Sequence, residues 1–192
     1  MAGSSTKFPV RLYVYDMSRG LASSMSMFLT GRQIDGIWHT GVMVYGNEYF
    51  FGSDGIAYCP PGGTILGNPT EVIELGDTEV SREMFHEYLV QLEEDKFRGS
   101  RYHLLNHNCN NFSNEVAQFL TGKSVPDHIL NLPADVMSTP LGQSMRPFID
   151  AMMREVNSGT HLTRSTKPSS TSSSSGSKKT SGSSGSKDLA LD

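Results

Sequence analysis

A cysteine at the start of an amphipathic segment constrains this chain more than any other feature. From Cys109 to residue 121, apolar residues recur at helical spacing while polar residues occupy the other side, which predicts a helix with one buried face. Either Asn106 or Asn108 can cap its start, and Gly122 can end it. The apolar positions of the segment are Phe112, Val116, Phe119 and Leu120.

The predicted helix places Cys109 in its first turn, where unpaired backbone N–H groups and the helix dipole favour negative charge. We therefore expect the pKa of this thiol to fall from ~8.5 into the range of roughly 3.5–7.5 that activated cysteines show. The same N–H groups can receive the oxyanion that forms when a carbonyl is attacked. This pattern is typical of a cysteine nucleophile.

A histidine lies in a second informative segment, the apolar run from residue 37 to residue 45. The next two residues, Gly46 and Asn47, form a two-residue hairpin signal. With that turn, strand alternation puts His39 and Gly41 on one face of the sheet, together with Met43 and Tyr45. The predicted register places three pairs opposite one another: Tyr45 and Glu48, Gly41 and Gly52, and His39 and Asp54.

This register suggests a role for several neighbours of His39. Asp54 is a candidate to accept the second ring N–H and fix the tautomer of the imidazole. Gly41 and Gly52 would leave bare backbone where an extended substrate chain can approach. Together with these glycines, the candidate residues of a substrate groove are Trp38, Asn108 and Asn110.

Each of these residues also has a simpler structural explanation. A single Cys near a helix start is often a small packed hydrophobic residue, and a single His on an apolar strand often belongs to the core. Turn formation by the Ser53-Asp54-Gly55 run explains Asp54 equally well, and Trp38 fits a core position. Taken together, however, His39 and Cys109 predict acyl transfer by a base-assisted thiol.

Three motifs give the chain a recognisable family character. They are Trp38-His39-Thr40-Gly41, Cys59-Pro60-Pro61-Gly62-Gly63-Thr64, and His107-Asn108-Cys109-Asn110. From about Val10 to about Met153 the sequence resembles the PPPDE family of permuted papain-fold peptidases, in particular its desumoylating type. The resemblance implies a Cys–His dyad in which Cys109 is the nucleophile and His39 the general base.

The resemblance also implies a substrate and a fold. Members of this type release SUMO from lysine side chains through a thioester intermediate, form homodimers, and occur in the cytoplasm and the nucleus. The fold expected for this chain is α+β, a circularly permuted papain-like cysteine peptidase with a small antiparallel sheet packed with helices. Two segments that resemble nuclear export signals fit this distribution, Met84–Leu92 and Leu141–Met153, although core packing explains their spacing equally well.

Two other functions remain open on the sequence alone. The His-strand and Asn-Cys helix also resemble lecithin–retinol acyltransferase-like enzymes, and protein S-depalmitoylation, which has been attributed to family members, would use the same dyad on palmitoylated proteins. A non-catalytic adaptor that binds ubiquitin-like or ubiquilin-like partners is a different class of function. A long apolar channel would favour acyl chains, and a shallow polar trough would favour a peptide tail.

Composition divides the chain at residue 157. The stretch from 157 to 192 holds 18 Ser/Thr among 36 residues, which predicts a disordered Ser/Thr/Gly/Lys-rich tail after a peptidase domain at 8–156. The first part carries 11 Lys/Arg and 18 Asp/Glu, a balance of −7, whereas the tail carries 5 and 2, a balance of +3. A nucleic-acid enzyme normally has a basic folded face, so no nucleic-acid partner is expected.

Other sequence features limit the class of protein further. Two distant cysteines do not resemble a disulfide framework, and neither a signal peptide nor a run of ~18 apolar residues is present, so we expect a soluble protein of a reducing compartment. No metal or other cofactor is expected, because His103, His107 and Cys109 lack the paired thiolates of zinc sites.

Periodicity and turn residues predict the remaining elements. Ser81 can cap a helix, and the Pro126–Pro140 segment is rich in turn residues. The predicted strands are Arg11–Asp16, the hairpin Ile37–Gly52, Gly55–Cys59 and Glu71–Leu75, and the predicted helices are Leu21–Leu29, one that begins after Ser81, the Cys109 helix, and a last one that contains Met145–Met153.

Overall fold

A five-stranded antiparallel sheet forms the centre of the protein in the computed structural model, which describes residues 6–163 and their side chains up to residue 156. The strands lie in the order β4-β3-β2-β1-β5. Among these hydrogen-bonded neighbours, only β1 and β5 are not consecutive in the sequence. Their bounds are β1 Phe8–Asp16, β2 Trp38–Val44, β3 Asn47–Gly52, β4 Gly55–Cys59 and β5 Glu71–Thr78.

Helices connect and cover this sheet, and their ends follow the capping residues of the sequence. The Ser81 hydroxyl accepts from the Met84 N–H at the start of α2, and Gly31 and Gly122 adopt the left-handed conformation just after α1 and α3. The Pro126–Pro140 segment, predicted to be turns, forms two short helices. The helices are α1 Leu21–Thr30, α2 Arg82–Glu94, α3 Cys109–Thr121, α4 Asp127–Leu130, α5 Leu132–Met137 and α6 Pro140–Thr163.

The core lies on one face of the sheet. Alternate residues of β1 and β2, such as Leu12 and Val42, are fully buried against Phe112 and Val116 of α3. His39 belongs to the opposite face by strand alternation, yet it lies at the start of β2, where the sheet ends. The α+β class predicted from the sequence is confirmed.

The register predicted for the β2–β3 hairpin is wrong by two residues. Val44 pairs with Asn47, so Tyr45 and Gly46 form the turn, both with positive φ as a type I′ turn requires. The Tyr45 ring packs edge-on against Phe8 and its hydroxyl donates to the Val80 carbonyl, which stabilises a conformation that is unusual for tyrosine. Tyr45 is therefore a turn residue, and neither Gly41–Gly52 nor His39–Asp54 is a facing pair.

The two segments predicted as export signals differ in exposure. In α2, Phe85, Leu89 and Leu92 are buried in the core, whereas in α6 the side chains of Met145 and Phe148 are exposed. Helix α6 continues to Thr163, and the rest of the predicted tail, residues 164–192, lies outside the described residues. The predicted domain boundary after residue 156 stays a prediction.

Candidate active site

Cys109 is the first residue of α3, and a reciprocal cap fixes its backbone. The Asn108 side-chain oxygen accepts from the N–H groups of Asn110 (2.9 Å) and Asn111 (3.3 Å). In return the Asn111 side chain accepts from the Asn108 N–H at 2.9 Å. Asn108 is thus the cap, as the sequence allowed, and the thiol-bearing residue that follows it is only 5% exposed.

The next residue, Asn110, ties this helix to the histidine strand. Its amide nitrogen donates to the Trp38 carbonyl at 3.1 Å, and its side-chain oxygen accepts from the Thr40 hydroxyl at 3.0 Å. The Thr40 hydroxyl also lies 2.8 Å from the Ser113 hydroxyl. Because a hydroxyl carries one proton, Ser113 donates to Thr40 while Thr40 donates to Asn110. Asn110 is buried, so this network excludes water.

The sulfur of Cys109 lies where β2 and β3 separate. The ladder between these strands ends at the Val42–Tyr49 pair, and the backbone N–H of Thr40, two residues further along β2, lies close enough to the Cys109 sulfur to favour its thiolate form. The thiol also lies 3.6 Å from the Asn110 side-chain oxygen. The start of α3 thus lies where β2 and β3 separate. It places the Cys109 thiol beside Thr40, the residue that follows His39.

His39 is held by packing rather than by hydrogen bonds. It lies opposite Tyr15 of β1, and its ring centroid is 5.9 Å from the Tyr15 ring and 6.2 Å from the Phe50 ring. Within the part of the chain that the structure describes, no group hydrogen-bonds to the imidazole. Burial lowers its pKa to about 4, so the ring is neutral at pH 7 and can accept a proton.

Two cavities meet at His39. Met17 and Tyr102 also line both of them. The smaller, of about 280 Å³, contains Cys109, and the larger, of about 700 Å³, runs along the end of β3 and the loop after β4. The histidine and the cysteine therefore line one cavity. Its other lining residues are mostly apolar and include Ile37, Leu104, Leu132, Val136, Met137 and Ile149.

Comparison with known proteins shows the family of the chain. Residues 8–150 match the family model of the PPPDE peptidase domain. The chain belongs to the PPPDE peptidase family. Desumoylating isopeptidase 1 of Homo sapiens is 53% identical over 157 residues, which are 82% of this chain and 94% of that protein. Its Xenopus laevis counterpart is 54% identical over 160 residues, covering 83% and 95% of the two chains. A Caenorhabditis elegans homolog of it is 36% identical over 143 residues, covering 69% and 40%.

In this PPPDE domain, the predicted acidic thiol is not found. Burial raises the pKa of Cys109 to about 11, although the N–H groups of Thr40, Asn110 and Cys109 itself favour the thiolate. The expectation from the helix end alone was wrong because it ignored desolvation by the packed sheet. The thiol and the imidazole are therefore both neutral at pH 7 in this structure.

The predicted neighbours of His39 fall at different places. Asp54 lies exposed in the turn between β3 and β4, where Gly52 pairs with Gly55, and the structure shows no hydrogen bond from it to His39. Gly41 is buried rather than part of a groove floor, because the Glu48 side chain covers it. Gly52 does line the larger cavity, while Trp38, Asn108 and Asn110 line the smaller one.

Two groups of the PPPDE site carried no sequence signal. Glu48 is fully buried and accepts from the Tyr15 hydroxyl (2.8 Å) and from the Gly62 N–H (3.1 Å), so it anchors the Pro-Pro-Gly-Gly loop that borders the larger cavity. Burial raises its pKa. Tyr102 lines both cavities. A glutamate in a hairpin and a tyrosine in a connection are usually surface residues, so only the tertiary structure identifies them.

Three further observations concern metal-binding groups, disulfides and membrane-spanning helices in the described part of this domain, residues 6–163. Residues 6–156 contain no group of three or more His, Cys, Asp or Glu side chains arranged to hold a metal ion. Both cysteines are free. None of the described helices is long and apolar enough to cross a membrane.

Proposed function

We propose that this chain is a cysteine isopeptidase that removes SUMO from lysine side chains, with Cys109 as nucleophile and His39 as general base. Its similarity to Desumoylating isopeptidase 1 over 94% of the human protein supports this activity and substrate. The observation that carries the proposal is that His39 and Cys109, 70 residues apart, line the same cavity at the end of the sheet.

The proposed reaction starts from a neutral pair, because burial disfavours an isolated charge on either group. As the sulfur attacks the carbonyl carbon of the modifier's C-terminal glycine, the neutral imidazole of His39 takes the thiol proton. The resulting imidazolium then gives this proton to the departing lysine amine. Water, activated by neutral His39, hydrolyses the thioester and frees Cys109.

The larger cavity is the proposed entry for the modifier tail. It begins at His39 and passes Gly52, whose missing side chain leaves room for backbone. At Gly52 a Cβ atom would meet nothing within 4 Å. A Gly-Gly tail, which has no side chains of its own, fits such a path to the scissile bond.

Cleavage of a SUMO–lysine isopeptide conjugate by the full chain tests the proposal. Wild type should release the modifier, and Cys109→Ala and His39→Gln should not. A SUMO probe with a C-terminal electrophile should label wild type and also Cys59→Ala, which lacks the other free cysteine, but not Cys109→Ala. Unchanged cleavage by Cys109→Ala would refute the proposal, and partner capture without any turnover would favour the adaptor function.

A second function, protein S-depalmitoylation, is favoured by one observation. The cavity beside Cys109 is walled mainly by apolar side chains of α5, α6 and the Leu104–Leu105 segment, as an acyl chain requires. The same thiol attack on a thioester carbonyl would release a thiolate instead of an amine.

Parallel turnover of three substrates separates the two functions: a SUMO conjugate, a ubiquitin conjugate and a palmitoyl-thioester peptide. Val136→Phe partly fills the apolar cavity, since Val136 lines it. A selective loss of thioester turnover in this variant would support the acyl chain as an occupant of that cavity. Equal turnover of the SUMO conjugate by wild type and Val136→Phe is expected if the peptide tail uses the larger cavity.

Homodimer formation and a distribution between cytoplasm and nucleus stay predictions from the family resemblance, and a ubiquilin-like partner stays part of the adaptor hypothesis. For nuclear export we propose the α6 segment rather than the α2 segment. The support is that Met145 and Phe148 are exposed, whereas Phe85 and Leu89 are buried.

A further inference from the structure

The loop after β4 carries an apolar side chain that the fold leaves almost entirely in solvent. Ile65 is 98% exposed, whereas its neighbour Leu66 is half-buried. Single exposed apolar residues are common on protein surfaces, so exposure alone says little about the role of Ile65. Its position is more informative, because Ile65 lines the larger cavity together with His39.

Two consecutive tight turns hold this loop in one conformation. The Gly63 N–H donates to the Pro60 carbonyl at 2.8 Å, which closes the first turn. The Gly67 N–H donates to the Thr64 carbonyl at 3.0 Å, which closes the second turn. Ile65 is the second residue of this second turn and therefore lies at its tip.

A buried carboxylate ties the same loop to the sheet. One oxygen of Glu48 in β3 accepts from the Gly62 N–H at 3.1 Å, and the other accepts from the Tyr15 hydroxyl of β1 at 2.8 Å. Because Glu48 is fully buried, water does not compete for these hydrogen bonds. The loop is thus held in place before a partner arrives, and a partner that packs on Ile65 spends little free energy on ordering it.

The residues around Ile65 favour a partner surface without charge. No residue between 55 and 70 carries a charged side chain. The central part of a protein–protein interface is depleted of charged residues in the same way. Ile65 lines the cavity that we assign to the modifier tail, so the folded body from which this tail extends comes next to the loop.

We propose that Ile65 packs against an apolar surface of the modifier's folded body, adjacent to its tail, and is a substrate-binding residue of the isopeptidase. This role rests on the proposed isopeptidase function. The contact involves none of the bonds that form or break, so it stabilises the bound substrate and the transition state equally. Its loss should therefore raise KM and leave kcat unchanged.

Ile65→Ser tests the proposal, and the exposure of this side chain means that the variant should fold as wild type does. For cleavage of the SUMO–lysine conjugate by the full chain, KM should rise by a factor on the order of 10, as expected for an isoleucine that binding buries. Ile65→Leu keeps an apolar side chain and should retain the wild-type KM. A short isopeptide substrate that carries only the Gly-Gly tail should be cleaved equally by wild type and Ile65→Ser.

A binding measurement separates affinity from turnover. Cys109→Ala should bind the conjugate without cleaving it. Adding Ile65→Ser to this variant should raise the Kd by the same factor as the KM.

The matched control is Phe28→Ser on α1, which removes an apolar side chain that is 88% exposed but lines neither cavity. This variant should keep the wild-type KM. An unchanged KM in Ile65→Ser, an equal rise in Phe28→Ser, or an equal loss on the short isopeptide would overturn the proposal. So would a loss confined to the palmitoyl-thioester peptide, which would assign Ile65 to acyl-chain binding. Failure of wild type to cleave any conjugate would instead refute the isopeptidase function itself.

Discussion

The amide nitrogen of Asn110 donates a hydrogen bond to the carbonyl oxygen of Trp38 at 3.1 Å. Asn110 directly follows the proposed nucleophile, and Trp38 directly precedes the proposed base. One buried side chain thus connects the start of α3 to the start of β2. It helps to hold the elements that carry Cys109 and His39 next to each other.

Asn110→Ala should therefore impair both stability and activity. It leaves the Trp38 carbonyl without its side-chain donor and removes one of the two partners of the Thr40 hydroxyl, which should cost about 2–3 kcal/mol of unfolding free energy. Urea unfolding measures this loss, and kcat on the SUMO conjugate should also fall. The control is Asn114→Ala on the same helix, which loses the bond to the Val125 N–H but should keep kcat. Equal kcat values in the two variants would contradict the positioning role of Asn110.

The alkylation rate of Cys109 should rise with pH rather than level off near neutrality. Because burial raises the pKa of this thiol to about 11, the thiolate fraction should grow about tenfold for each pH unit between pH 7 and pH 10. Peptide-level mass spectrometry in the Cys59→Ala background gives the rate for this residue alone. A rate that is constant from pH 6 to pH 8 would instead show a preformed thiolate–imidazolium pair.

Acid should destabilise the protein partly through His39. Its pKa is about 4 in the folded state, below that of an unfolded histidine, so the unfolded chain binds the proton first as pH falls. The neutral ring contributes its full stability above about pH 6.5, and up to roughly 3 kcal/mol is lost as pH falls through 4. His39→Gln should flatten this part of the stability profile, as measured by urea unfolding from pH 7 to pH 4. Parallel profiles of variant and wild type would argue against a buried neutral imidazole.

The two glycines of the hairpin should respond differently to a methyl group. At Gly41 a Cβ would lie 2.6 Å from the Glu48 carboxylate, which Tyr15 and Gly62 hold in place, so Gly41→Ala should lose about 1–3 kcal/mol. At Gly52 the space is open, and Gly52→Ala should change stability by less than about 0.5 kcal/mol. Thermal or urea unfolding of both variants checks this order, and equal losses would contradict it.

Local signals in the sequence predicted most element boundaries. Ser81, Asn108 and Gly122 each end or begin a helix through their own backbone or side-chain chemistry, which the neighbouring residues are enough to reveal. The alternation of β2 was predicted correctly for the same reason, since Val42 and Val44 are buried. The helix-start position of Cys109 and the apolar strand around His39 also indicated these two residues before the family resemblance did, and the structure places both at one cavity.

Features that depend on distant contacts were not predictable in the same way. The sequence predicted a Gly46-Asn47 turn, but Tyr45 and Gly46 form it, and the contacts of Tyr45 with Phe8 and Val80 stabilise a register in which Asp54 does not face His39. The pKa of Cys109 depends on how completely the sheet covers it, which the helix pattern does not contain. The same holds for Tyr102, which reaches the site from a connection.

The covered sulfur of Cys109 has a consequence for the protein's chemical durability. Peroxide attacks the thiolate form of cysteine, and this residue is 5% exposed and protonated at neutral pH. Sulfenic acid should therefore form on it slowly, and the resting protein should outlast thiol proteins whose nucleophile is ionised and open to solvent. Vulnerability to oxidants would arise mainly during turnover, while a substrate holds the site open.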